Sequence, residues 1–136
     1  MKLCILGGGL TGLSLAKSLV KKGLSIDIFL NKKKSDFNRS RTIGISHDNL
    51  MYFNKEILDI KKLFWDIKKI EIYSENLRNE KILNFENNNK TVFAIIRNYQ
   101  LQSKLLKSLK KDKLCKFKQN FDYNFSNLKK YKLIIN

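Results

Sequence analysis

The chain has 136 residues, the length of one domain and enough for a hydrophobic core. Its net charge is +16, from 28 Lys and Arg against 12 Asp and Glu, so nucleic acid and anionic membranes must be considered as partners. No stretch approaches the roughly 20 apolar residues of a membrane-spanning helix, and two cysteines are too few for a disulfide framework.

The positive charge comes mostly from scattered lysines, accompanied by many Asn and Ile residues and no Pro. Because Lys, Asn and Ile have A- and T-rich codons, this composition favours drift in an AT-rich genome over a selected nucleic-acid footprint. The named nucleic-acid signatures are also missing from the sequence. We therefore expect no nucleic-acid partner, and a cytoplasmic protein in which Cys4 and Cys115 are buried and reduced.

Residues 1–31 predict a βαβ dinucleotide-binding unit. The apolar strand at 2–6 leads into Gly7-Gly8-Gly9-Leu10-Thr11-Gly12, and apolar residues at helical spacing follow. This is the pattern G-x-G-x-x-G between a strand and a helix. Gly7 permits the tight turn, Gly9 lets backbone N–H groups approach a pyrophosphate, and Gly12 lets the helix pack closely on the sheet. We assign all six residues to cofactor binding.

The second strand, Ser25 to Leu30, departs from the usual fingerprint. That fingerprint has an acidic residue about 20 residues after the glycines, which binds the ribose hydroxyls. This chain has Leu30 and Asn31 there. Asn31 can make one such hydrogen bond, so we predict that it contacts the cofactor. Lysines 32–34 leave open a 2′-phosphate site of the NADP type.

After a polar loop, Arg41-Thr42-Ile43-Gly44-Ile45-Ser46 predicts a short extended segment. Ser46 is placed to cap a helix from His47 to about Asn54. We expect three apolar residues to line the buried side of that helix: Leu50, Met51 and Phe53. A further helical segment is predicted at Ile60 to Ile67. His47 is the only histidine and has no cluster of metal ligands around it, so we predict no metal site and no catalytic role for it.

The hydrophobic period then changes, and residues 67–97 predict an antiparallel β-meander. Its strands are expected at 70–73, 82–85 and 92–96, with turns between them. A nicotinamide dinucleotide domain would continue instead as strand, helix and strand. The predicted meander therefore favours an FAD-binding fold of the hydroxylase type.

Residues 98–136 predict one amphipathic helix followed by returning strands. The helix runs from Asn98 to Lys110, and the strands are expected at 114–121 and 131–136. Ligands of a doubly wound sheet lie beyond the carboxyl ends of its strands. Because the sequence stops at the end of such a strand, we interpret it as truncated.

Three segments, in this order, resemble the N-terminal part of a class A FAD-dependent aromatic-ring hydroxylase, most closely those of ubiquinone biosynthesis. They are the glycine turn, the segment Arg41 to Ser46, and Asn98-Tyr99-Gln100-Leu101 at the start of a helix. The resemblance extends over all 136 residues, although only the glycine turn is chemically specific. The chain departs from the family in lacking the acidic residue after the second strand, in having Arg97 where relatives often have Glu, and in lacking the later FAD motif and the substrate region.

The resemblance implies an α/β fold, with 1–136 as a partial Rossmann-like FAD-binding domain containing an inserted meander. It implies that the glycine turn holds the FAD pyrophosphate, that Arg41 contacts the cofactor near its phosphates or ribityl chain, and that Asn98 or Gln100 touches the flavin side. In the full-length family NADPH reduces FAD, and an oxygen atom from O₂ is transferred to an aromatic ring. A hydrophobic quinone precursor as substrate would imply peripheral contact with a membrane.

The sequence offers no credible acid, base or nucleophile for this reaction. We therefore expect an FAD-binding portion of a monooxygenase that is inactive alone. Two alternatives stay open: an NADP-binding oxidoreductase domain, and a non-enzymatic basic module that binds RNA or an anionic membrane through its lysines.

Overall fold

The computed structural model describes residues 2–30, 39–75, 78, 80–88, 90–119 and 128–136. These residues form a parallel sheet, an antiparallel sheet and a separate hairpin, together with helices, which confirms the predicted α/β class. The strands are β1 (Lys2–Leu6), β2 (Ser25–Leu30), β3 (Thr42–Ser46), β4 (Phe64–Ile67), β5 (Lys69–Tyr73), β6 (Lys81–Glu86), β7 (Phe93–Arg97), β8 (Cys115–Gln119) and β9 (Leu133–Ile135). The α-helices are α1 (Leu10–Lys21), α2 (His47–Tyr52) and α3 (Asn98–Lys110), and one π-helical turn, Phe53–Ile57, follows α2.

The parallel sheet has the strand order β8-β2-β1-β9. Its two central strands are short apolar runs with buried middles, as expected for parallel strands covered on both faces. The helix between them ends at Lys21, and Gly23 follows with a φ of 79°, which suits glycine. The predicted unit of strand, glycine turn, helix and strand is therefore present.

Helices α1 and α3 pack against each other and against one face of this sheet. Each contributes an apolar stripe with helical spacing, as periodicity predicts. The buried side chains of the two stripes are Leu13, Ala16, Val20, Leu101, Leu105 and Leu109. Among the residues described, no helix is long and apolar enough to cross a membrane.

The antiparallel sheet has the order β3-β7-β4 and extends the same core through Ala94 and Ile96, both fully buried. The helix predicted for Ile60 to Ile67 is wrong. Residues 60–63 form a turn, in which the Leu63 N–H donates to the Ile60 carbonyl, and Phe64–Ile67 pairs with β7 as strand β4. Its aromatic residues favour a strand once such a partner is present. Met51, which we expected to be buried, is 56% exposed, whereas Leu50 is buried as expected.

The predicted strands at 70–73 and 82–85 form an antiparallel hairpin, β5–β6. The third predicted strand does not join them, because β7 pairs with β3 and β4. Side chains alternate across a strand, so the paired residues Ile70, Phe85, Ile72 and Leu83 lie on one face of the hairpin. Except for Ile70, these side chains are largely exposed. The hairpin therefore presents an apolar face to its surroundings.

The parallel sheet carries a charged cluster on the face opposite α1. Asp27 of β2 is fully buried, and its Oδ2 atom lies 3.0 Å from Nζ of Lys2 and 2.9 Å from Nζ of Lys118. The Tyr131 hydroxyl donates a hydrogen bond of 2.6 Å to the same oxygen. Burial alone would raise the pKa of Asp27, but the hydrogen bonds from Lys118, Tyr131 and Lys2 outweigh it and lower that pKa. This carboxylate thus ties β2 to β1, β8 and the segment before β9.

We predict that Asp27→Asn lowers the free energy of unfolding by about 2–3 kcal/mol at pH 7, because the charge that holds the two lysines is lost. The wild-type carboxylate has a lowered pKa in the folded chain. Its contribution is therefore complete above the ordinary Asp pKa of about 3.9 and is lost as the pH falls through the lowered value. Urea unfolding of both proteins between pH 7 and pH 3 should show the difference shrinking toward acid.

Asp66→Asn, the same change at an exposed carboxylate, is the control and should alter stability by less than about 0.5 kcal/mol. A difference for Asp27→Asn that is equally large at both ends of the pH range would contradict the assignment.

Candidate cofactor site

The glycine turn connects the end of β1 to the start of α1. Gly7 has a φ of 111°, a conformation that L-residues with side chains rarely adopt, and its N–H donates to the carbonyl of Phe29 at 2.9 Å. A Cβ atom on Gly12 would lie 3.0 Å from the Gly7 oxygen and 3.3 Å from Cγ2 of Ile5. Gly7 is therefore required by the turn, and Gly12 by the close packing of α1 on β1.

Gly9 differs from these two glycines. It is the N-cap residue of α1, with φ −72° and ψ 171°, a conformation open to any residue. A Cβ atom there would meet no atom of the described residues within 4 Å. The chain itself therefore does not need glycine at this position, where Ser, Asp or Asn would cap the helix better. A missing side chain beside open space leaves room for a ligand.

The N-terminus of α1 faces this space, and no described side chain caps it. The first turn of the helix contains no acidic residue. The backbone N–H groups of Leu10, Thr11 and Gly12 belong to the first turn, where α-helices lack internal acceptors. Together with the positive end of the helix dipole, they form a site suited to an anion.

Helix α3 reaches the glycine turn through a residue that sequence reasoning missed. The Nε2 atom of Gln102 donates a hydrogen bond of 2.7 Å to the Gly8 carbonyl, between residues 94 positions apart. Gln102 lies one helical turn after Asn98, so both side chains are on the same face of α3. A polar residue on an amphipathic helix carries no sequence signal for this contact.

Asn98 joins the segment at Arg41 to the start of α3. Its backbone N–H donates to the Arg41 carbonyl at 3.0 Å. Arg97 is the N-cap residue of α3, and Asn98 is the first residue of the helix. The Oδ1 atom of Asn98 is buried and has no hydrogen-bond partner in the described structure. A buried acceptor without a partner is costly, which makes it a candidate contact for a ligand donor.

A shallow cleft of about 160 Å³ adjoins these groups. It is lined by Arg39, Tyr99, Gln102, Ser103 and Leu106. Sites that enclose a small molecule usually measure about 300–1,000 Å³, so this cleft can hold only part of a dinucleotide.

Comparison with known proteins gives structural matches only. No protein-family model and no curated protein matches the sequence. The p-nitrophenol 4-monooxygenase of Pseudomonas putida superposes on 87% of the chain with a TM-score of 0.69 and 15% identity. A probable FAD-dependent monooxygenase of Pseudomonas aeruginosa superposes on 88% of the chain with a TM-score of 0.69 and 13% identity. The flavin-dependent monooxygenase PieE, solved with FAD and substrate, superposes on 88% of the chain with a TM-score of 0.63 and 9% identity.

The chain has the fold of the FAD-binding part of flavoprotein monooxygenases. It spans 31%, 32% and 24% of the length of these three proteins, in the same order. The match therefore covers about a third or less of each of these proteins.

Within this monooxygenase fold, the structure brings together the glycine turn, Asn98 and the backbone of Arg41. Gln100 is placed two residues after Asn98, on a different face of α3. Asn31 lies outside the described residues. A Cβ atom on Gly8 would collide with Cδ2 of Leu30, so the Leu30 side chain packs on the turn. The contacts proposed for Asn31, Arg41 and Gln100 with a cofactor stay predictions.

We predict opposite effects of substitution at two glycines of the turn. Gly12→Val should lower the free energy of unfolding by about 1–3 kcal/mol, because its side chain collides with the Gly7 carbonyl. Gly9→Ser should leave stability unchanged or raise it slightly, because the space is open and Ser is a better N-cap. Thermal and urea unfolding of the ligand-free chain check both. If both substitutions lowered the free energy of unfolding equally, the result would contradict a ligand-directed role for Gly9.

Proposed function

We propose that this chain is the FAD-binding portion of a flavoprotein monooxygenase that hydroxylates an aromatic ring. The observation that carries the proposal is the open space at Gly9. Neither backbone strain nor crowding explains glycine there, whereas close approach of a pyrophosphate to the helix N-terminus does. The fold shared with FAD-dependent monooxygenases supports FAD as the dinucleotide.

The groups around the turn fit the chemistry of FAD. Its pyrophosphate is an anion that matches the uncapped N-terminus of α1. The ribityl chain and flavin ring carry hydroxyl and N–H donors, and the unpartnered Oδ1 of Asn98 is an acceptor. Arg41 is an exposed cation whose backbone is joined to that of Asn98. These residues would hold the phosphate and flavin ends of the cofactor.

Bound FAD would supply the oxygen-transfer chemistry, and the protein would bind and orient it. The turn Gly7 to Gly12 would bind the pyrophosphate, and Asn98 and Arg41 would set the direction in which the flavin extends. We further propose NADPH as reductant, a quinone precursor of ubiquinone biosynthesis as substrate, and peripheral contact with an anionic membrane. These finer proposals are supported by the similarity of the segments at Arg41 and Asn98 to the ubiquinone hydroxylases, and the membrane contact also by the charge of +16.

The first experiment is a titration of the purified chain with FAD, followed by flavin fluorescence, and a parallel titration with NADPH. We expect FAD to bind more tightly than NADPH. Gly9→Glu should weaken FAD binding at least tenfold, about 1.4 kcal/mol, because its carboxylate would occupy the pyrophosphate position. Gly9→Ser, which adds no charge, should weaken it by a smaller factor.

Asn84→Glu adds the same negative charge on the exposed strand β6, remote in the fold from the turn, and should leave FAD binding unchanged. A tenfold preference for NADPH would establish the NADP-binding alternative instead. Binding of RNA or anionic vesicles that falls steeply with salt and survives Gly9→Glu, in a chain that does not bind FAD, would establish the basic binding module.

A further inference from the structure

The hydrogen bond from Gln102 acts on a peptide group of the glycine turn to which the described backbone gives no hydrogen bond. The Gly7 N–H is held by the Phe29 carbonyl, and the Gly9 carbonyl accepts from the Leu13 N–H at 3.0 Å. Between them, the described structure gives the Gly8–Gly9 peptide one hydrogen bond, the 2.7 Å contact from Gln102 Nε2 to the Gly8 oxygen. That peptide lies between two glycines, which resist its rotation least of all residues.

We infer that Gln102 is a positioning residue that fixes the orientation of the Gly8–Gly9 peptide for cofactor binding. The inference rests on the proposed FAD site. A trans peptide is planar, with its C=O and N–H pointing in opposite directions. Because Gln102 draws the Gly8 carbonyl toward α3, the Gly9 N–H points away from α3 and is kept as a donor. A rotated peptide would exchange these groups and present a carbonyl oxygen, which repels phosphate.

The residues around Gln102 hold its backbone at a fixed position relative to the glycine turn. Gln102 follows the buried Leu101, and Leu105 and Leu109 fasten the same helix into the core. Helix α3 also packs on α1, the helix that the glycine turn begins. The distance from Gln102 to the turn is therefore set by core packing. Asn98, with its unpartnered Oδ1, lies on the same face one turn earlier. The face of α3 thus both orients the turn and offers an acceptor to the ligand.

Two substitutions separate the hydrogen bond from the bulk of the side chain. Gln102→Leu keeps a side chain of similar size without the donor, and we expect FAD affinity about tenfold below that of the wild type. Gln102→Glu places an ionised carboxylate against the Gly8 oxygen at pH 8, and we expect a larger loss. When protonated, the same carboxyl can donate to Gly8. The affinity of Gln102→Glu relative to Gln102→Leu should therefore rise as the pH is lowered from 8 to 5.

This pH-dependent rescue is the decisive readout, because a role in packing alone would not produce it. Lys107→Gln, on an exposed position of the same helix, changes the net charge by the same amount and should bind FAD like the wild type at every pH. Circular dichroism and thermal unfolding of each variant check that α3 is intact. A constant ratio between the Glu and Leu variants across the pH range would overturn the inference.

The hydrogen bond can also be detected without FAD. In the ligand-free wild type, NMR should show a coupling across the hydrogen bond between Gln102 Nε2 and the Gly8 carbonyl carbon. Its absence would overturn the inference directly. Failure of the wild type to bind FAD would overturn the proposed function, whereas equal FAD affinities for the wild type and Gln102→Leu would overturn the positioning role alone.

Discussion

The close contact between Gly12 and the Gly7 carbonyl is the constraint on which the site depends. With no Cβ at Gly12, α1 lies near enough to β1 for its N-terminus to open directly at the turn. Helix α3 then packs beside α1, which brings Gln102 to Gly8 and places Asn98 at the same end of the molecule. The close packing of α1 on β1 at Gly12 and the packing of α3 on α1 together set the position of the glycine turn relative to Gln102.

The sequence predicts the N-terminal unit well because its signals are local. Gly7, Gly12 and Gly23 each meet a steric demand that arises within a few residues of their position. Strand β4 was predicted as a helix because its strand character depends on pairing with β7, about 30 residues later in the chain. Gln102 was missed for the same reason, since its partner at Gly8 is distant in sequence. Non-local pairing therefore accounts for both the wrong element and the missing site residue.

Strand β2 contains one acidic residue, Asp27, but this residue does not match the acidic residue that the dinucleotide-binding fingerprint places at the end of the strand. Asp27 lies in the middle of the strand, with its side chain on the face opposite α1, and two lysines and a tyrosine occupy its hydrogen-bonding oxygen. Burial of the Tyr131 hydroxyl, together with its hydrogen bond to Asp27, raises the pKa of Tyr131 to about 12. The carboxylate therefore joins strands of the parallel sheet through Oδ2.

The β5–β6 hairpin has a consequence for how copies of this chain behave in concentrated solution. Residues 69–86 contain three basic and four acidic side chains, so this segment is nearly neutral in a chain of net charge +16. Mutual repulsion, which keeps highly charged proteins apart, is therefore weakest where the apolar face of Ile72, Leu83 and Phe85 is exposed. Salt that screens the charge on the rest of the chain therefore weakens the repulsion that opposes contact through this apolar face.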